Sequence, residues 1–266
     1  MMKRILTIAG SDSGGGAGIQ ADLKAITLLG GFGMSVLTAL TAQNTVAVTS
    51  IHDVPLDFIA AQIEAVFSDI GVDAVKTGML SNAEVVKLVA SKMSQYKPAI
   101  LVVDPVMIAK SGAPLLTAGA RKTLAEFLLP QATMVTPNLP EASALLDRQV
   151  TNEDEMHHAA EGIHRLGPKY VLIKGGHLQG EAVDLLFDGK DFHEFRSPRI
   201  ETKNVHGTGC TYASAIATYL AQDLDVVEAV KAAKRFITAA IGHGLSLGKG
   251  HGPTNPYAAV REEWSR

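Results

Sequence analysis

The chain has 266 residues, 47% of them hydrophobic, and its 24 basic and 27 acidic side chains leave a formal net charge of −3. That balance gives no electrostatic footprint for nucleic acid or anionic lipid, and no apolar stretch approaches membrane-spanning length. A single cysteine rules out an internal disulfide, no Cys/His spacing fits a zinc site, and no linker or low-complexity tract cuts the chain, so residues 1–266 are expected to form one domain.

Met1-Met2-Lys3-Arg4 carries the charge of a secretory leader. The apolar run after it, residues 5–9, is too short for one and gives way to glycine, so it reads as a first strand and the protein as cytoplasmic. A helix at 19–29, a strand at 36–42, a helix at 56–70 and a strand at 74–77 follow. Ser81-Asn82-Ala83-Glu84 reads as a capping box opening a helix at 82–96. Then come a strand at 100–104, a helix at 118–129 behind Thr117, a strand at 134–136, a helix at 153–166 behind Thr151 and a strand at 170–174. Strands at 183–187 and 191–195 flank Asp188-Gly189 as a tight hairpin, and helices at 211–220 and 226–245 close the series. Several strands are apolar without alternation, as strands covered on both faces are. The alternation implies an α/β fold, a three-layer α-β-α sandwich with a mostly parallel central sheet.

Ligands of such sheets sit beyond the carboxyl ends of the strands. The polar residues that end strands are therefore the first candidates for a site. Gly10-Ser11-Asp12-Ser13-Gly14-Gly15-Gly16-Ala17-Gly18 lacks the Gly-Lys-Ser/Thr of a phosphate-binding P-loop, and Ile19 stands where a dinucleotide fingerprint needs glycine. It remains a loop that lets backbone approach a small ligand, with Asp22 one helical turn further on. Gln43 ends its strand, and a carboxamide matches the amino group and neighbouring ring nitrogen of an aminopyrimidine; turn capping is the simpler reading. Asp104 and Glu141 are carboxylates at or just past strand ends, and Mg²⁺ on phosphates takes one or two of these. Asn138 and Glu141 lie three apart at a helix start, where Glu141 equally serves the helix dipole. Lys174 ends a strand before two glycines, within reach of a phosphate. Met79, Val106 and Met107 follow strand ends and can wall an apolar pocket or fill the core. His177 and His206 flank glycine loops.

Asn204-Val205-His206-Gly207-Thr208-Gly209-Cys210-Thr211 runs directly into a helix of small residues. Glycines around a threonine let successive N–H groups curl about one point, and the helix adds its positive end, which suits an anion such as a phosphoryl group in transit. Cys210 is in the first turn, where that field favours a thiolate.

Taken together, Leu6–Asp22, Thr41-Ala42-Gln43-Asn44-Thr45, Val75-Lys76-Thr77-Gly78-Met79, Val103-Asp104-Pro105-Val106-Met107, Thr136-Pro137-Asn138-Leu139-Pro140-Glu141, Lys174-Gly175-Gly176-His177 and His206-Gly207-Thr208-Gly209-Cys210-Thr211, in this order and ending in Gly250-His251-Gly252-Pro253, resemble the hydroxymethylpyrimidine/phosphomethylpyrimidine kinases of the ribokinase superfamily. The resemblance implies a ribokinase-like fold, ATP as co-substrate with Mg²⁺, two successive phosphorylations of 4-amino-5-hydroxymethyl-2-methylpyrimidine for thiamine biosynthesis, and a homodimer. It implies that Gln43 binds the pyrimidine edge in a pocket lined by Gly10, Asp22, Met79 and Val106. Gly207, Thr208 and Gly209 would form the anion hole, Cys210 take the base position, Lys174 contact phosphates, and Asp104, Asn138 and Glu141 serve the metal. Sugar kinases of this fold usually carry Asp where Cys210 stands. A vitamin B6 kinase of the same branch is the nearest alternative; a silent vitamin-binding protein would not need all of these elements.

Overall fold

The computed structural model describes residues 1–108, 112, 115–176, 178 and 180–264. In chain order it forms β1 (Arg4–Asp12), α1 (Gly18–Leu28), β2 (Phe32–Gln43), β3 (Val48–Asp53), α2 (Leu56–Ala65), β4 (Ala74–Thr77), α3 (Ala83–Tyr96), β5 (Leu101–Val103), α4 (Ala118–Thr123), β6 (Met134–Val135), α5 (Leu139–Leu146), α6 (Glu153–His164), β7 (Tyr170–Gly175), β8 (Ala182–Phe187), β9 (Phe192–Ser197), α7 (Thr208–Ala221), α8 (Val226–Gly242) and α9 (Pro256–Trp264). The strands make one sheet in the order β3-β2-β1-β4-β5-β6-β7-β8-β9. The middle pairs, from β2 to β7, are parallel, while β3, β8 and β9 add antiparallel edges.

Alternation along β1 shows how the layers are built. Leu6 and Ile8 enter a core shared with Ile59 and Ile63 of α2, Val85 and Val89 of α3 and Ile163 of α6. Ile5 faces the other way, onto Ile26 of α1, Ile216 of α7 and Ile237 of α8. Side chains two apart share a face, so one strand feeds both cores. The expected three-layer α/β sandwich is what forms.

Several local expectations need correction. β3 escapes the pattern because it mixes Val48 and Ile51 with polar residues and is mostly exposed; it pairs with β2 at the sheet edge. The capping residue of α3 is Asn82, whose side chain accepts the N–H groups of Glu84 and Val85, and not Ser81. Asn152 rather than Thr151 caps α6. The 56–70 and 118–129 helices each finish in a wider turn, at Val66–Ile70 and Leu124–Leu128. The hairpin turn covers four residues, with Asp188 Oδ1 accepting the N–H groups of Lys190 and Asp191.

The chain reverses its direction across the sheet at β1, which has β2 on one side and β4 on the other. The crevice beyond the carboxyl ends of β1 and β4 is where such a sheet binds its ligand.

Candidate active site

A cavity of about 360 Å³ opens at that crevice. Its lining brings together Gly10, Gln43, Met79 and Val106 with Asp104, Asn138, Glu141 and Lys174 and with Gly207, Thr208, Gly209 and Cys210. Pro198, Ile200, Ile237 and Ile241 add apolar wall. A side chain at Gly10 would meet Met79 Sδ at 3.1 Å, so the bare backbone there leaves room in the cavity.

Asp22 is the exception among the anticipated residues. It is fully buried away from the cavity, holding Lys76 Nζ at 2.8 Å and accepting the hydroxyls of Thr7 and Ser214. Its position one turn into α1 turns it toward the sheet rather than toward the loop.

The Gly10–Gly18 loop is organised by a residue that local reading passed over. Asp12 accepts N–H groups from Gly14 (2.8 Å), Gly16 (3.0 Å) and Ala17 (2.8 Å). His206 Nε2 lies 2.8 Å from Asp12 Oδ2, so a strap joins this loop to the one that precedes α7. Burial opposes the charge of Asp12, but His206 and the loop amides hold its carboxyl below the ordinary range. The same His206 nitrogen is 3.5 Å from the Gln43 amide, whose oxygen also meets the Thr41 hydroxyl at 3.1 Å. An aspartate just before a glycine run, two or more residues from free amides, is the signal that would have revealed it. His177 lies outside the described residues.

The starts of the helices separate structural from open ones. α3, α5, α6 and α8 each have a capping side chain and an acidic residue in the first turn. α1 and α7 have neither, and both begin at the cavity. Gly207 precedes α7 with φ +81°, and an added Cβ would collide with the Gly16 carbonyl oxygen. Thr208 turns back, its hydroxyl donating to Val205 O at 2.7 Å and its N–H to the same oxygen at 3.2 Å. The start of α7 thus has no side-chain cap and no acidic residue in its own first turn where it faces the cavity.

Opposite it stand Lys174 and Asp104, 2.8 Å apart, with Thr136 donating to the same carboxylate oxygen. A Cβ at Gly209 would lie 3.4 Å from both Asp104 Oδ2 and Lys174 Nζ, so that glycine brings helix and ion pair together. Burial disfavours both charges, yet each partner keeps the other ionised: Lys174 is held above its ordinary range by Asp104 and Glu141, and Asp104 below its own by Lys174 and Lys76. Glu141 and Asn138 close a capping box, N–H to carboxylate at 2.8 Å and N–H to amide oxygen at 2.9 Å. Burial pushes the Glu141 carboxyl up to about 7 despite Lys174.

Cys210 behaves differently from its expected thiolate. Burial pushes its thiol up to about 11, against the pull of Lys76, with Asp22 and Asp104 adding to the rise. Removal from water outweighs the favourable helix end, so at neutral pH the side chain is a thiol.

A cavity at the switch point, with an uncapped helix start facing a buried lysine–aspartate pair, defines an α/β phosphotransferase of ribokinase-like architecture. The family model described as phosphomethylpyrimidine kinase matches residues 12–255. The chain is 59% identical, over 97% of its length, to the thiamine biosynthesis bifunctional protein ThiED of Geobacter sulfurreducens, and spans about half (53%) of that protein. It is 48% identical to the hydroxymethylpyrimidine/phosphomethylpyrimidine kinase of Haemophilus influenzae, covering 98% of both chains. Its fold superposes with a TM-score of 0.91 on pyridoxal kinase from Staphylococcus aureus in complex with AMP-PCP and pyridoxal, at 37% identity over 98% of this chain and 96% of that one. The chain belongs to the phosphomethylpyrimidine kinase family and is a kinase.

Proposed function

We propose that this kinase transfers phosphate from ATP to the hydroxymethyl group of 4-amino-5-hydroxymethyl-2-methylpyrimidine, and then a second phosphate to the monophosphate formed. The observation that carries this reading is the placement of Gln43, the Lys174–Asp104 pair and the uncapped start of α7 around one cavity. The Gln43 amide offers a donor and an acceptor in one plane to the amino group and ring nitrogen of the substrate. Gly10, Met79 and Val106 enclose the ring; Asp22, bonded to Thr7, Lys76 and Ser214, does not line the cavity.

In the first step the alcohol oxygen bonds to the terminal phosphorus of ATP while the bond to the ADP oxygen breaks. The transferring group carries its negative charge between the Gly209 and Cys210 amides and the Lys174 ammonium, so the protein supplies position and fixed charge. The alcohol proton has Cys210 as its nearest candidate acceptor, once that thiol has ionised. The second nucleophile is an already ionised phosphate and needs no base.

Among the described residues no group of three or more His, Cys, Asp or Glu side chains is gathered as a metal cage. Asp104 and Glu141, which both line the cavity, fit Mg²⁺ shared with phosphates and water, with Asn138 holding Glu141 in place. When bound, Mg²⁺ neutralises phosphate charge.

Vitamin B6 alcohols are the second reading, favoured by the similarity to the pyridoxal kinase above. The reading also includes a cytoplasmic homodimer, supported by exposed Leu40, Val46 and Ile51 along the β2–β3 edge. Incubation with ATP, Mg²⁺ and the free pyrimidine alcohol, followed by mass analysis, tests the proposal: mono- and diphosphate products are expected. Phosphorylation of pyridoxine alone would overturn it.

A further inference from the structure

Lys76 has no exposed surface, yet it carries a charge into the space between β4, α1 and α7. Its ammonium lies 2.8 and 3.0 Å from the two oxygens of Asp22, which also accept Thr7 Oγ1 at 2.6 Å and Ser214 Oγ at 2.8 Å. Burying such a pair is a poor way to stabilise a core, because desolvation consumes most of the attraction and apolar residues of equal volume would serve as well. The arrangement asks for another explanation.

Its direction supplies one. A Cβ on Gly78 would sit 3.1 Å from Lys76 Nζ, so the lysine runs two residues up the strand, toward the edge where the cavity opens. Ser214, which holds Asp22, is four residues beyond Cys210 on α7, one turn along the same helix face. The pair therefore meets α7 at its second turn, one turn beyond Cys210. The charges acting on Cys210 come from Lys76 on β4, Asp22 on α1, Asp104 after β5 and Lys174 on β7; of the first three, Lys76 acts most strongly and with the opposite sign to both carboxylates.

We propose that Lys76 is a positioning residue of the phosphotransfer site: with Asp22 it forms a buried, oriented charge pair whose positive end acts on the Cys210 corner, and whose Ser214 bond fixes the second turn of α7 on the sheet. A fixed cation there, in a dry site, favours negative charge on whatever occupies the corner. The inference rests on reading that corner as the phosphoryl site, but its test does not require the pyrimidine.

Cys210 is the chain's one cysteine, so carbamidomethylation by iodoacetamide reports on it alone. Its rate is measured from pH 7 to 11 on the full-length protein, with folding checked by circular dichroism. Lys76→Met should move the profile to higher pH and slow alkylation at pH 9 about tenfold, as a one-unit change in thiol ionisation dictates. Asp22→Asn should move it to lower pH and quicken alkylation about threefold or more. Mere loosening of the packing would speed alkylation in both variants, so shifts in the same direction, or none in folded protein, overturn the proposal. If Lys76→Met does not fold, Lys76→Met/Asp22→Asn removes both charges and keeps the polar bonds of residue 22. An upward shift in that variant supports the proposal, and any other result overturns it. A failure of pyrimidine phosphorylation would leave these opposite shifts untouched.

Discussion

Gly207→Ala tests how the anion corner is assembled. Gly207 holds a left-handed φ of +81°, and its Cβ would collide with the backbone oxygen of Gly16. The conformation alone costs an L-residue about 1–2 kcal/mol, which in a domain of this size lowers Tm by roughly 2–8 °C. Relieving the collision parts the two loops by on the order of 1 Å, and a misplacement of that size costs about 100-fold in rate. The contrasting variant is Gly209→Ala, whose methyl would rest at an ordinary 3.4 Å from Asp104 Oδ2 and Lys174 Nζ. It should leave Tm within about 2 °C, since alanine suits a helix better than glycine, yet lower turnover by crowding the phosphate. Differential scanning fluorimetry and ADP release measure both quantities. Wild-type Tm and kcat/KM in Gly207→Ala would refute the reasoning.

Glu141 ionises at about 7 in the fold against 4.5 ordinarily, so its contribution is complete below pH 4.5 and about 3 kcal/mol of it is lost as pH rises through 7. Glu141→Gln, which keeps the capping box, should flatten the Tm–pH curve between pH 4.5 and 7; parallel curves would show that the buried carboxyl is not the cause. Cys210→Ala should slow the first phosphorylation far more than the second, and the wild-type first step should quicken from pH 7 to 9, since burial places the thiol at about 11. Equal loss in both steps, read by mass, would give Cys210 a positioning role only. Gln43→Met should reduce turnover of the pyrimidine alcohol more than that of pyridoxine, as competition between the two substrates will report.

The parallel core of the fold was legible because strands such as Leu101–Val103 are apolar without alternation and stand between helical patterns. β3 was not, because an edge strand exposed to water carries no alternation; Thr49, Ser50 and Asp53 read as loop. Gln43, Asp104 and Lys174 were placed at one edge by the rule for parallel sheets, and the cavity lies there; the Gly207–Cys210 loop was legible from its glycines before a helix. The direction of Asp22 was illegible because one turn of helix separates facing the loop from facing the sheet, and only the three-dimensional partner, Lys76, decides it. The Cys210 thiol was misjudged for a related reason: a helix start is visible in sequence, whereas burial is not. The Asp12–His206 strap joins residues 194 apart, a distance that no local pattern spans.

The Gly209 and Cys210 amides, with Lys174 opposite, are proposed to receive the phosphoryl group beside a pyrimidine held by Gln43. A crystal structure with a non-hydrolysable ATP analogue and the pyrimidine alcohol tests it most directly. The account predicts terminal phosphate oxygens within hydrogen-bond distance of the Gly209 and Cys210 N–H groups, and the hydroxymethyl oxygen turned toward them. A terminal phosphate bound away from the Gly209 and Cys210 N–H groups, or a pyrimidine amino group facing away from Gln43, would contradict it.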